Sequence, residues 1–188
     1  MQRREVIKLV TLATGAAISA PLMGSLLAGC KKPVEEVGTD YALKYFNGSE
    51  FQHVKTIVDI ILPKTDSPSA TDVGVHKIID IMVGTVYRPH EKENYSKRFS
   101  SLMEYLNGSE FLESDTPEQE AILKQLINSS EDKDKMAQAG FLELKQQTIA
   151  YYLSTEEIAT KHLNYLPVPG KYEPCITLEE AGGKAWAI

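Results

Sequence analysis

Few side chains in this sequence stand where their types and spacing could do chemistry. His76 and Asp80 lie four residues apart in an apolar-periodic stretch, so a helix turns them to one face. Such a pair can orient itself or supply two ligands to a metal; the plainer reading is an exposed ion pair. Asp59, Asp66, Asp72 and Asp80 make an acidic series, but their spacing fits no calcium-wrapping loop, and Asp66 and Asp72 stand where Asp caps turns. The four histidines, His53, His76, His90 and His162, are scattered. No G-x-G-x-x-G, P-loop, C-x-x-C-H, H-E-x-x-H or G-x-S-x-G is present, so no catalytic, cofactor-binding or metal-binding residue is assigned to this chain. Two cysteines remain, Cys30 and Cys175, too few for a disulfide framework or a thiolate cluster.

Cys30 has a context of its own. Met1 to Lys8 is a charged start, and residues 9–29 carry no charge, the layout of an export signal. Arg3-Arg4, a polar residue, two aliphatics and Lys8 resemble the twin-arginine export signal, with Gln2 in place of Ser or Thr and Val6 in place of Phe. Leu27-Ala28-Gly29-Cys30 resembles a bacterial lipobox. The expectation is cleavage before Cys30, lipidation of its sulfur, and a chain held on the periplasmic side of a membrane. Each buried methylene of such an anchor contributes about 0.8 kcal/mol. The alternative is an uncleaved helix, since residues 9–29 could span a core of about 30 Å, although Gly15, Pro21 and Gly24 dilute it.

The chain has 188 residues, 43% of them hydrophobic, with 20 basic and 26 acidic side chains and a net charge of −6. That composition is globular and carries no basic footprint for nucleic acid. Removing residues 1–29 takes away three basic side chains and one acidic, leaving 17 against 25 and a net charge of −8. So acidic a body is held at an anionic membrane by its anchor, not its own surface. Residues 30–43 read as a linker between lipid and domain, and residues 44–188 as the domain.

The apolar spacing in that domain is helical almost throughout, which predicts an all-α fold of about five to seven helices. Ser49 and Gln52 suggest a capping box, followed by Phe51, Val54, Val58, Ile61 and Leu62 up to Pro63. Residues 64–74 read as a loop. Val75, Ile78, Ile79, Met82, Val83 and Val86 make a second stripe ending near Pro89. Tyr95, Phe99, Leu102, Met103 and Leu106 make a third, with Asn107-Gly108 as a left-handed cap. Thr116-Pro117-Glu118-Gln119 opens a fourth, with Pro at the first position and Gln at the third. Residues 128–135 read as a loop; Met136, Phe141, Leu144, Thr148 and Tyr152 continue the helical theme, and Ser154 to Glu157 open a short last helix toward Leu163. The pentapeptide Asn47-Gly-Ser-Glu-Phe51 recurs as Asn107-Gly-Ser-Glu-Phe111, which reads as two helix corners with the same caps.

From Leu166 onward the periodicity stops, and Pro167, Pro169, Gly170, Pro174, Gly182 and Gly183 predict an irregular tail. Cys175 lies in it. In an oxidising compartment it is a free thiol, a bond to another chain, or a small buried hydrophobe.

Two blocks carry a family resemblance. Ile61-Leu-Pro-Lys-Thr-Asp-Ser-Pro68, Ala70, Asp72 and Gly74-Val75, running on to Ile79-Asp80 and Met82-Val83, form the first. Tyr165-Leu-Pro-Val-Pro-Gly170-Lys-Tyr172-Glu-Pro-Cys175 with Gly182-Gly183-Lys-Ala185-Trp186 form the second. Together they resemble the gluconate 2-dehydrogenase subunit 3 family over residues 45–187, with Ser69 where that family tends to have Gly. The resemblance implies a non-catalytic accessory subunit of a large FAD-binding dehydrogenase of the glucose–methanol–choline type. That partner oxidises a sugar, sugar acid or polyol, often with a cytochrome c subunit as acceptor, and the small subunit assists its maturation and twin-arginine export. A twin-arginine-like signal on a chain without a cofactor motif suits a companion that travels with a folded flavoprotein. The tail would then wrap the partner, with Tyr172 and Trp186 as aromatic anchors and Cys175 as a covalent lock; packing of the same rings onto the chain's own core is the alternative. The rival functions are a stand-alone ligand-binding lipoprotein and an enzyme using His76 with its acidic neighbours.

Overall fold

The computed structural model describes residues 41–168, 170 and 175–187. Among them are six α-helices and no strand, so the fold is all-α. They are α1 (Gly48–Ile61), α2 (Val75–Ile81), α3 (Pro89–Gly108), α4 (Thr116–Asn128), α5 (Lys135–Ser154) and α6 (Glu156–Lys161), with a π-helical segment Met82–Val86 after α2 and a 3₁₀ turn Asp132–Asp134 before α5. The 3₁₀ turn falls within the stretch expected to be loop.

Local sequence chooses the helix starts, and two differ from the expected ones. α1 begins two residues early, because Asn47 and Glu50 make the capping box instead of Ser49 and Gln52. Asn47 Oδ1 accepts from the Glu50 amide and Glu50 Oε2 from the Asn47 amide, both at 2.9 Å. α4 is capped by Asp115, whose carboxylate accepts from the Glu118 amide at 3.0 Å, so Pro117 is the second helical residue. Gln119 does not cap; its Nε2 donates to Phe111 O at 2.9 Å. The repeated pentapeptide does opposite work at its two sites. Its first copy starts α1, whereas in the second Asn107 and Gly108 are the last residues of α3 and Glu110, at φ 51°, takes the left-handed turn expected at Gly108. Both copies still bury their phenylalanine, Phe51 and Phe111.

The core runs through all the long helices, with Phe51, Val54, Val58, Val75, Ile79, Val83, Tyr95, Phe99, Leu102, Leu106, Phe141, Leu144 and Tyr152 buried. The second stripe fails at its end. Val86 is exposed, because the π segment places five residues where an α-turn has fewer and rotates Val86 off the core side. Lys92 Nζ donates to the Gly84 carbonyl there at 2.8 Å. Met136 is exposed as well, leaving Ala137, Gly140, Phe141, Leu144 and Thr148 to form the buried side of α5.

α3 and α5 make the most extensive helix contact. A Cβ on Gly140 would lie 2.5 Å from the Arg98 carbonyl oxygen and 3.3 Å from Leu102 Cβ, so glycine is what lets the backbones approach. Arg98 Nε and Nη2 each donate to Glu143 at 2.8 Å across the same crossing. Partners that rise along α3 fall along α5, so the helices run antiparallel.

Candidate partner-docking surface

Among the described residues, no three His, Cys, Asp or Glu side chains converge as metal ligands would, and no helix is long and apolar enough to cross a membrane. A cleft of about 360 Å³ between α1 and the start of α4 is lined by Gln52, Lys55, Asp59, Gln119 and Glu120 without any convergent set.

His76 and Asp80 are not an exposed ion pair. Asp80 is fully buried and binds the segment before α1. Its carboxylate accepts from the Tyr41 hydroxyl at 2.8 Å and from the amides of Lys44 (2.7 Å), Tyr45 (2.9 Å) and Phe46 (2.9 Å). Burial pushes its pKa up, but these four donors more than offset that and hold it below the ordinary value. Tyr41, within the stretch read as linker, is thereby tied to α2. His76 is buried against Phe51, ring centroids 5.2 Å apart, with no hydrogen-bond partner for Nδ1. Burial, then the charges of Lys77 and Lys55, lower its pKa to about 4, so the ring is neutral. The remaining aspartates are structural or peripheral. Asp59 accepts from the Thr71 amide at 2.9 Å and hydroxyl at 2.6 Å, Asp72 accepts from the Ser69 amide at 3.2 Å and pairs with Lys64, and Asp66 is exposed.

The informative surface is the tail. Thr177 and Glu180 cap one another, the Thr177 amide donating to Glu180 Oε2 at 2.7 Å and the Glu180 amide to Thr177 Oγ1 at 3.2 Å. The turn they open ends at Gly182 and Gly183, both with positive φ. The Gly183 amide donates to Leu178 O at 2.8 Å and the Gly182 amide to Glu179 O at 2.9 Å, a Schellman closure that glycine adopts without strain. The chain then returns to Asn164. The Asn164 amide donates to Ala185 O at 2.8 Å, the Ala187 amide to Asn164 O at 2.9 Å, and Asn164 Nδ2 to Ala181 O (2.5 Å) and Lys184 O (2.9 Å). Lys184 Nζ donates to Lys161 O at the end of α6, at 3.2 Å.

This clasp is polar, and the apolar side chains around it face outward. Tyr165, Leu166, Val168, Ile176, Leu178 and Trp186 are all large, apolar and exposed, from 40% at Ile176 to 77% at Val168. Cys175, one residue before Ile176, is an exposed free cysteine, not a buried hydrophobe. Trp186 is half exposed, its backbone bridged to Asn164. Tyr172 lies outside the described residues, as do Arg3, Arg4 and Cys30 with the signal and lipid site expected there. Asn164 is the residue that spacing did not single out, although Thr177-x-x-Glu180 and Gly182-Gly183 were readable signs of a short capped turn.

The model of the gluconate 2-dehydrogenase subunit 3 family matches residues 48–170. The chain belongs to that family. The match spans all six helices of the subunit 3 body and stops before Cys175 and Trp186, so it takes in only the start of the second block. No curated protein and no solved structure matches the chain.

Proposed function

We propose that this chain is a non-catalytic accessory subunit of a membrane-associated, FAD-dependent sugar or sugar-acid dehydrogenase. It assists maturation and export of the large flavin-binding subunit, of the glucose–methanol–choline type, and tethers it at the periplasmic side through a lipid on Cys30; a cytochrome c subunit completes the electron path. FAD belongs to the partner. The observation that carries this reading is the tail, where six large apolar side chains are exposed around a backbone pinned at Asn164. Large apolar side chains left exposed along one segment mark a contact site. Membership of a family named for an enzyme subunit supplies the kind of partner. Trp186, one of the six, is the proposed aromatic anchor, and Cys175, the residue before Ile176, the proposed covalent lock.

The test is a non-reducing pull-down of the tagged chain from its native membranes, with an absorbance scan of the eluate. A large co-eluting chain with flavin absorption is expected, running apart from this chain after reduction but not bonded to it in Cys175→Ser. A lone, colourless monomer would sink the accessory-subunit reading and leave a stand-alone binding lipoprotein.

A further inference from the structure

Asn164 meets residues 185–187 as one rung of a parallel ladder. Its amide donates to Ala185 O at 2.8 Å and its carbonyl accepts from the Ala187 amide at 2.9 Å, which makes Trp186 its bridge partner. Successive residues of an extended chain turn their backbone groups to opposite edges, so the Trp186 N–H and C=O face away from Asn164. Among the described residues neither has a partner, whereas Ala185 O and the Ala187 N–H on the inner edge are both taken. A free edge invites a further strand, and folded proteins blunt it with Pro, with charged side chains or with a covering loop. Ala185-Trp186-Ala187 contains neither Pro nor charge, and Ala185 and Trp186 are exposed. The adjacent charge, Lys184, is turned back, its Nζ donating to Lys161 O at 3.2 Å. The two alanines leave room for another backbone to come close.

We propose that the outer edge of residues 185–187 takes an extended stretch of the flavin-bearing subunit as an added strand. This rests on the accessory-subunit reading and gives that contact its form. The Trp186 N–H donates to a carbonyl of the incoming strand, the Trp186 C=O accepts from one of its amides, and the indole covers the apolar side chain beside it. The edge itself selects the class of occupant. A donor and an acceptor on one extended residue match another extended backbone, not a helix, whose backbone groups are used internally. A second copy of this chain carries the same edge, but Glu179 and Glu180 stand exposed on the same arm, and two bodies this acidic repel.

The test uses the tagged full chain with Trp186 replaced by its α-hydroxy acid through stop-codon suppression. That replacement keeps the indole and turns the Trp186 N–H into an ester oxygen. Capture of the flavin-bearing chain from native membranes should weaken about tenfold, the worth of one hydrogen bond, while the Ala187 amide stays protected from exchange in the isolated variant. In the wild-type complex the Trp186 amide should exchange roughly tenfold slower than in the isolated chain, which checks the edge without any variant. Unchanged capture by the ester, or Trp186 exchange equally fast with and without the partner, overturns the added strand and leaves the accessory-subunit reading standing. A wild-type chain that captures no flavin-bearing chain overturns both. A wild-type dimer in sedimentation that the ester variant loses assigns the edge to a second copy and overturns the proposal.

Discussion

Asp80 and His76 share a face of α2 but do opposite things with burial. Asp80 keeps its charge because four donors meet it, three of them backbone amides that would otherwise end unpaired at the core edge. Asp80→Asn leaves a neutral acceptor and turns an amide group toward donors. We expect a loss of about 3 kcal/mol in urea unfolding, with hydrogen exchange accelerated first at residues 44–46. His76 has no compensating partner, so it stays neutral. Its pKa falls from 6.5 to about 4 on folding, and the unfolded chain therefore binds a proton that the folded chain refuses throughout that window. Stability from this group is complete above pH 6.5 and declines as pH falls toward 4, by about 3 kcal/mol in all. Buried His53, also lowered by burial, adds in the same direction. The urea midpoint measured across this range should slope downward on acidification, and His76→Phe should flatten the slope. A variant slope as steep as the parent's would mean His76 titrates normally.

Among the elements, α5 is the one the others are built around, and glycine at its contact with α3 decides how closely they approach. Gly140→Ala would gain about 1 kcal/mol of helix propensity in isolation. Here the new methyl meets the Arg98 carbonyl, and helices that must part also loosen the Arg98–Glu143 pair. The net effect expected is a loss of about 1–3 kcal/mol, read as a lower midpoint in chemical unfolding. A neutral or stabilised Gly140→Ala variant would show that the seam is loose enough to absorb the methyl.

For the whole molecule, stability and the proposed partner binding fall to different parts. The helical core is closed without the tail's apolar side chains, which stay in solvent. Leu166→Asp with Leu178→Asp should therefore keep the urea midpoint within about 0.5 kcal/mol per site, as exposed substitutions do, while capture of the flavin-bearing chain drops to background. Unfolding of the double variant would place those side chains in the fold itself. Asn164→Ala should leave the core's exchange protection intact and speed exchange only at the amides of Ala187 and the Gly182–Gly183 turn.

The amino-acid sequence by itself determined the all-α class, most of the helices and their core stripes, because burial of one face imposes a period near 3.6 that needs no partner to be visible. It also carried the family resemblance, through the Ile61–Val83 block inside the matched region. Helix ends were less legible. Asn-Gly-Ser-Glu-Phe starts one helix and ends another, since a capping sequence offers hydrogen bonds and the packing of Phe51 or Phe111 decides which are made. His76 and Asp80 were readable as a shared face but not as buried, because spacing gives orientation and only tertiary contact gives depth. The Asp80 clasp, the Arg98–Glu143 pairing of α3 with α5 and the return of the tail to Asn164 all join residues distant in the chain. Their energies exist only once the helices are packed, so no local pattern could announce them.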